Sequence, residues 1–156
     1  MRKLGILAMT VALSTTFTTA LFAQDAMSPR GAVEQLFLGM RMANESILRS
    51  VLAADVRFAV LDGVGGSAQI ETQSLDGFIR SVAVSRGTWN EQIYDVEVRV
   101  DDAMASVWAP YTFYLNERIS HCGVNSIELL QDASGWKITQ ISDTRRTVEC
   151  PDPLGA

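Results

Sequence analysis

The chain has 156 residues, of which 47% are hydrophobic, and its formal charge at neutral pH is −5. This length supports one domain. Without Arg2 and Lys3 at the N-terminus the charge is −7, and Lys137 is then the only lysine in the sequence. Nucleic acid and anionic membrane surfaces both require a basic patch or a polybasic segment, and the sequence has neither. We therefore expect no nucleic-acid partner.

The N-terminus has the layout of a secretory signal peptide. Arg2 and Lys3 precede an apolar run over 4–13, and a stretch of small residues then ends at Ala23. The apolar run is too short, and too interrupted by threonine and serine, to span a bilayer. We predict cleavage after Ala23, which leaves 24–156 as a single domain in the periplasm or outside the cell. The residue directly after this site is Gln24 and not a cysteine, so no lipid anchor in the membrane is expected after cleavage.

Three helices are predicted in the first half of the chain. Ser28 before Pro29, then Asn44, then Ser74 are candidate N-cap residues. Apolar residues follow each cap at helical spacing: Val33, Leu36, Phe37 and Met40; Ile47, Leu48, Val51 and Leu52; Leu75, Phe78, Ile79 and Val82. Short strands are expected at 56–61 and 68–72.

The second half of the chain is predicted to form strands. Tyr94, Val96, Val98 and Val100 alternate with charged residues, which indicates one half-buried strand. A long aromatic strand follows over 106–115, and Pro110 within it indicates a bulge or an edge position. Two more strands and a short tail occupy 119–150. Segregated helices and strands predict an α+β domain, in which three helices cover a curved, mostly antiparallel sheet and leave a conical pocket.

The register of the last hairpin decides which polar side chains meet. A three-residue loop over 133–135 would pair Asp132 with Trp136, and it is favoured because two isoleucines then face each other across the ladder. One face would carry His121, Asn125, Ile127, Ile141, Asp143 and Arg145. A four-residue loop would shift the register by one residue and move Asp143 off the face of His121.

The two cysteines of the sequence, Cys122 and Cys150, fall in this same region. In an oxidising compartment two cysteines most simply form one disulfide. In the favoured register Cys122 lies opposite Arg146, four residues before Cys150, so the tail could fold back to reach it. The alternative is two separate thiols, one buried and one in a frayed tail.

The segments WAPYTFYL, SHCGVNSIELL, GWKI and DTRR, in this element order, resemble the nuclear transport factor 2-like superfamily. Within it they resemble exported bacterial proteins described as lumazine-binding or SnoaL-like, over about residues 28–150. The resemblance implies a cone with a pocket, and also homodimers. The superfamily includes ketosteroid isomerases, polyketide cyclases, scytalone-dehydratase-like enzymes and non-enzymatic binding domains. In the isomerase branch a tyrosine on the first helix serves catalysis, whereas here Phe37 lies in that helix and no tyrosine does.

The polar residues of the hairpin are candidates for catalysis and binding. His121 would be a general base, because its ordinary pKa suits proton transfer near neutral pH, and Asp143 would orient it. Arg145 would bind a ligand anion or steady an enolate, and Asn125 would contact the ligand. In the alternative reading His121 packs beside the disulfide, and Asp143 and Arg145 form an ion pair that closes the end of the sheet.

The aromatic strand supplies further candidate ligand contacts, namely Trp108, Tyr111, Phe113 and Tyr114. One alternate set would line the pocket, while the other packs outside or at an interface; ordinary core packing is the alternative. Because the strand holds more large apolar residues than one concave face can use, we predict a homodimer through the outer face of the sheet.

Two functional classes remain. One histidine and two oxidised cysteines provide no usual zinc set, and no phosphate-binding glycine motif is present, so we expect no metal and no cofactor. The favoured class is an exported domain that binds a hydrophobic small molecule. The second is a cofactor-free isomerase, cyclase or dehydratase that acts on a hydrophobic carbonyl compound. An apolar pocket with a polar His/Asp/Arg end serves both classes.

Overall fold

The computed structural model describes residues 28–62 and 69–155. The predicted signal peptide and its cleavage site lie outside the described residues. In these ranges the chain forms three helices and one seven-stranded sheet. The architecture is the predicted α+β arrangement of helices on a curved, mostly antiparallel sheet.

The three helices begin where the sequence predicts. Ser28, Asn44 and Ser74 each accept a hydrogen bond from the backbone N–H three residues later, at 3.0, 3.1 and 3.2 Å. These bonds satisfy N–H groups that the first helical turn leaves without a partner. The helices are α1 (Pro29–Arg41), α2 (Glu45–Val51) and α3 (Leu75–Val84).

The sheet has the order β2-β1-β7-β6-β5-β3, and β4 also pairs with β5. Its strands are β1 (Leu52–Asp62), β2 (Gln69–Gln73), β3 (Trp89–Ile93), β4 (Glu97–Asp101), β5 (Met104–Leu115), β6 (Arg118–Asp132) and β7 (Gly135–Arg145). Neighbouring strands are antiparallel except β1 and β7, which are parallel. The core lies between one face of this sheet and the helices.

The hairpin between β6 and β7 differs from the prediction at its turn. Asp132 pairs with Gly135, so the loop has two residues, and the three-residue loop and its four-residue alternative are both wrong. A β-bulge at Thr139 then inserts one residue, and Thr139 Oγ1 donates to Glu128 O at 3.2 Å. The bulge restores the predicted pairs beyond it, which join Ile127 with Ile141 and Asn125 with Asp143.

The predicted strand at 94–100 is right only in its second part, because the sheet is interrupted at 94–96, between the end of β3 at Ile93 and the start of β4 at Glu97. Ile93 pairs with Tyr111 and Glu97 with Trp108, so three residues on one strand oppose two on the other. The break lies opposite Pro110, which has no N–H to donate and accepts from Tyr94 N at 3.0 Å. Within this break Asp95 has a backbone φ of 48°, which lies in the left-handed region. The bulge expected in the aromatic strand lies instead on the opposing side, between β3 and β4, while Pro110 itself pairs regularly with Val124 of β6.

The tail after β7 folds back onto the face of the sheet away from the helices. Cys122 and Cys150 form the predicted disulfide, with their Cα atoms 5.5 Å apart, and Cys122 pairs with Arg146 as expected. Thr112 Oγ1 donates to the carbonyl of Pro151 at 2.8 Å. The Tyr114 hydroxyl donates to the Asp152 carboxylate at 2.6 Å. The tail therefore covers the outer face of β5 at Thr112 and Tyr114.

Candidate functional site

A cavity of about 170 Å³ lies between the helices and the inner face of the sheet. Its apolar wall is formed by Leu36, Phe37, Met40, Phe58, Val60, Phe78, Trp89, Phe113 and Ile141. Its polar lining is formed by Gln73, Glu91, Tyr111, His121, Asn125, Asp143 and Arg145. Small-molecule sites are typically apolar hollows with a few converging polar groups, and this cavity has that character.

A second depression, of about 290 Å³, lies on the outer face of the sheet beside Trp108. Its lining is mostly polar and includes Glu97, Arg99 and Glu128, which are side chains of the solvent-facing surface. Although it is the larger of the two, its apolar lining is limited to Val107 and Trp108. We therefore assign the candidate site to the inner cavity.

Aromatic rings line one side of the cavity in a continuous series. Phe58 stacks on Phe78 with ring centroids 4.7 Å apart, and Phe78 meets Trp89 edge-on at 6.5 Å. Trp89 meets Phe113 edge-on at 5.7 Å, and Phe113 stacks on His121 at 4.8 Å. Rings in such mutual contact hold each other in place. The cavity wall is thus preorganised, from α3 across the sheet to β6.

Glu91 contributes a buried carboxyl group to the polar end. Asn125 Nδ2 donates to Glu91 Oε1 at 2.6 Å. The residue keeps some accessible surface because it faces the cavity, yet desolvation raises the pKa of Glu91 to about 8. The charge of Asp143 raises this pKa further, while the bond from Asn125 and the charge of Arg145 lower it. Glu91 is therefore mostly protonated at neutral pH.

Asp143 and Arg145 form an ion pair at the same end of the cavity. Arg145 Nε donates to Asp143 Oδ2 at 2.8 Å, and the Asp143 side chain is 12% exposed. Desolvation lowers the pKa of Arg145, but the hydrogen bond and the charge of Asp143 outweigh it, so the pKa is raised. The arginine stays positively charged and compensates the aspartate.

Tyr111 connects this ion pair to the backbone of β7. Its hydroxyl lies 3.3 Å from Asp143 Oδ2 and donates to Thr144 O at 3.0 Å. Burial, and then the charges of Asp143 and Glu91, raise the pKa of Tyr111. Tyr111 pairs with Gly123, where a Cβ atom would come within 1.7 Å of Thr144 O. Glycine at this position therefore permits the close approach that brings the carbonyl to the tyrosine.

His121 and Asp143 both line the cavity, as the sequence predicts. The imidazole stacks on Phe113, and its Nδ1 lies 3.2 Å from Ser120 Oγ. Asp143 Oδ2 accepts from Arg145 and lies within hydrogen-bond reach of the Tyr111 hydroxyl. The catalytic roles of His121 and Asp143 stay predictions.

The other predicted ligand contacts divide between the two faces of the sheet. Tyr111, Phe113, Asn125 and Arg145 line the cavity. Trp108 is 51% exposed and lines the outer depression, away from the cavity. Tyr114 is buried beneath the tail through its bond to Asp152. The alternation expected along the aromatic strand thus assigns one set of side chains to the cavity and the other to the outer face.

Glu91 was absent from the sequence-based candidates, because its segment was not predicted as a strand. Trp89, Glu91 and Ile93 alternate with Asn90 and Gln92, and this period of two was the available signal. A charged residue at the middle inward position of such a segment indicates a buried polar site.

The described ranges hold no group of three His, Cys, Asp or Glu side chains placed to share a metal ion. Of the helices in those ranges, none combines the length and the apolar character needed to cross a membrane.

A scan against protein-family models and a search of curated proteins found no match to this chain. Solved structures do share its architecture. An NTF2-like protein with a cystatin-like fold from Novosphingobium aromaticivorans is 11% identical, with a TM-score of 0.63 over 88% of this chain and 95% of that one. The beta subunit of a candidate aromatic-ring-hydroxylating dioxygenase from the same organism is 12% identical, with a TM-score of 0.63 over 85% and 95%. A candidate ketosteroid isomerase from Shewanella frigidimarina is 20% identical, with a TM-score of 0.54 over 73% and 92%.

Proposed function

Because the chain has the nuclear transport factor 2-like fold, we propose that it is an exported domain that binds a small, largely apolar molecule in the inner cavity. The observation that carries this proposal is the apolar cavity of about 170 Å³ with polar groups gathered at one end. An engineered apolar cavity of about 150 Å³ holds benzene, so this volume suits a ligand with a single ring. In this proposal Phe113 contacts the ring, and Tyr111, Asn125 and Arg145 orient its polar group.

Single-ring probes test the binding proposal. Ligand-observed NMR should detect toluene and acetophenone bound to the wild-type protein. Phe37→Trp should weaken the binding of both probes by about tenfold or more, because the larger ring occupies the space that the probe needs. Trp108→Phe changes a ring on the outer face and should leave both affinities unchanged. If neither probe binds the wild-type protein, or if Phe37→Trp has no effect, the cavity is not a binding site for such molecules.

A second candidate function is a cofactor-free isomerase, cyclase or dehydratase that acts on a hydrophobic carbonyl compound. It is favoured by Glu91, because a carboxyl group with a pKa of about 8 can exchange a proton at neutral pH. In this reading His121 takes a proton from the carbon next to the carbonyl, Asp143 orients the imidazole, and Glu91 protonates the carbonyl oxygen. The solved structure named for a ketosteroid isomerase has the same fold, which is compatible with this chemistry without indicating it.

The acetophenone samples also distinguish binding from catalysis. In D₂O an enzyme of this kind would replace the methyl protons of bound acetophenone by deuterium. The proton on the His121 imidazolium exchanges with solvent, and the enol then takes a deuteron on carbon as its O–H proton returns to Glu91. The exchange should be lost in His121→Ala while acetophenone still binds. Bound acetophenone that exchanges no faster than in buffer would contradict the enzymatic reading and leave the binding proposal standing.

Export and pairing with a second copy complete the proposal. The Cys122–Cys150 disulfide fits an oxidising compartment. In this proposal the signal peptide directs the chain to such a compartment and is cleaved after Ala23. The outer face of the sheet carries three large apolar side chains that are each more than half exposed, namely Met104, Trp108 and Leu130. Met104 and Leu130 are cross-strand partners, and the pair Ser106 and Glu128 separates them from Trp108 on the same face. In this proposal that face contacts the same face of another copy.

One preparation of exported protein tests both the cleavage after Ala23 and the homodimer. Its intact mass should correspond to a chain that begins at Gln24, and it should sediment as a dimer at micromolar concentration. Trp108→Glu should sediment as a monomer, because it replaces a large apolar side chain of the proposed contact face by a charge. A chain that retains Met1 would exclude the cleavage, and a wild-type monomer would exclude the homodimer.

A further inference from the structure

The polar end of the cavity contains one carboxyl group with an open oxygen. Asn125 donates to Glu91 Oε1, and no other hydrogen bond to this carboxyl group comes from the described part of the chain. In that part no buried side-chain oxygen or nitrogen lacks a partner, so the second oxygen, Oε2, keeps accessible surface. Since Glu91 lines the cavity, that surface faces the space in which a ligand would lie.

The bond from Asn125 also selects which oxygen carries the proton. In a neutral carboxyl group the carbonyl oxygen is the better acceptor of an amide N–H, which favours the proton on Oε2. Oε2 then presents an O–H donor to the cavity. An ordinary surface glutamate presents an acceptor there instead, and the two states select ligands of opposite polarity.

Desolvation, more than any neighbouring charge, keeps Glu91 in its neutral form. Asp143 and Arg145 on β7 form a compensated pair, while Tyr111 on β5 and His121 on β6 complete the titratable groups of the cavity lining. The residues that α1, α3, β1 and β2 contribute to the lining carry no charge. With Glu91 protonated, the polar end thus has no net charge from its carboxylates and its arginine.

From this geometry we propose that Glu91 is the anchor for the ligand, donating a hydrogen bond from its neutral carboxyl group to an acceptor oxygen of an uncharged, single-ring molecule. The inference rests on the proposed function of the cavity and adds the chemical class of its ligand. Cationic amines, which would require an ionised Glu91, are excluded as preferred ligands. Anions are disfavoured too, because Arg145 is already paired with Asp143.

A matched series of probes tests this assignment. Toluene, acetophenone, benzylamine and benzoate share one ring and differ in the attached group. At pH 6 acetophenone should bind about tenfold more tightly than toluene, and more tightly than either charged probe. At pH 9.5 the advantage over toluene should disappear, because at least about nine-tenths of the Glu91 carboxyl groups are then ionised.

Two substitutions separate the hydrogen bond from the cavity. Glu91→Leu should bind acetophenone and toluene equally at both pH values, whereas Glu91→Gln should keep the preference at both, because its amide donates without titrating. Glu97→Gln, an exposed carboxylate on β4, should behave as the wild type does. Circular dichroism of each variant checks that it is folded.

The possible failures are distinguishable. If toluene and acetophenone bind equally and Phe37→Trp weakens both, the cavity binds ligands but Glu91 is not the anchor. Tighter binding of benzylamine than of acetophenone at neutral pH would overturn the neutral-donor assignment. If no probe binds, both the proposed function and the role of Glu91 as anchor are contradicted.

Discussion

Glu91→Gln should make the protein more stable than the wild type at pH 9, by about 4–5 kcal/mol, while the two should be nearly equal at pH 4. The pKa of Glu91 is about 8 in the folded protein, compared with 4.5 when the group is not desolvated. Between these values the folded state holds a proton that the unfolded state has released. Stability from this group is therefore complete below pH 4.5 and falls as the pH rises through 8.

Urea unfolding at pH 4, 6 and 9 measures this effect. Glutamine keeps the carbonyl oxygen that accepts from Asn125 and removes only the titration, so the difference between wild type and variant isolates Glu91. Glu97→Gln serves as the control, because this exposed side chain should change the free energy of unfolding little at any pH. Parallel pH profiles for the wild type and Glu91→Gln would contradict the raised pKa, and with it the neutral carboxyl group of the proposed anchor.

The overall architecture follows from local signals in the sequence. Caps at Ser28, Asn44 and Ser74, each followed by an apolar stripe, determine where the helices begin. The pairing of Ile127 with Ile141 was predictable from burial, although the loop was predicted one residue too long. The extra residue lies instead in the bulge at Thr139. A bulge and a longer loop give the same register beyond them, so an apolar pattern does not distinguish the two.

The site was less predictable, because a second bulge reverses the alternation of inward and outward residues. Before Asp95 the inward positions include Glu91 and Ile93, and after it they include Val96 and Val98. A single strand traced back from Val100 places Tyr94 inward and hides Glu91. The bulge depends on Pro110 in the neighbouring strand, which is distant in sequence.

The burial of the outward-facing aromatic residues of β5 depends on where the C-terminal tail lies. The sequence predicts that alternate side chains of β5 take opposite faces, but it does not say which face is covered. In the structure Tyr111 and Phe113 face the cavity, whereas Tyr114 is held beneath 150–152 by Asp152. The placement of the tail follows from the bond between Cys122 and Cys150. Its consequence for Tyr114 is a long-range contact that no local pattern records.

Removal of the disulfide should change the free energy of unfolding by an amount similar to that expected for Glu91→Gln at pH 9. The double variant Cys122→Ala, Cys150→Ala should lose about 3–4 kcal/mol of unfolding free energy, because the bond closes a loop across a separation of 28 residues and restricts the unfolded chain. Cys122 is fully buried, so the loss of its sulfur adds a small packing cost. The wild type should show no reactive thiol when denatured without reductant.

The tail contacts provide a matched control for this experiment. Asp152→Ala removes the acceptor of the Tyr114 hydroxyl but leaves the disulfide intact, and it should cost only about 1 kcal/mol. In the cysteine double variant the tail is no longer tethered, so limited proteolysis should cleave it after the last strand while the sheet stays protected. Two reactive thiols in the wild type would show that the bond does not form, and a double variant as stable as the wild type would show that it does not stabilise the fold. The expected order of stability, wild type above Asp152→Ala above the double variant, follows because the disulfide restricts the unfolded chain and the hydrogen bond does not.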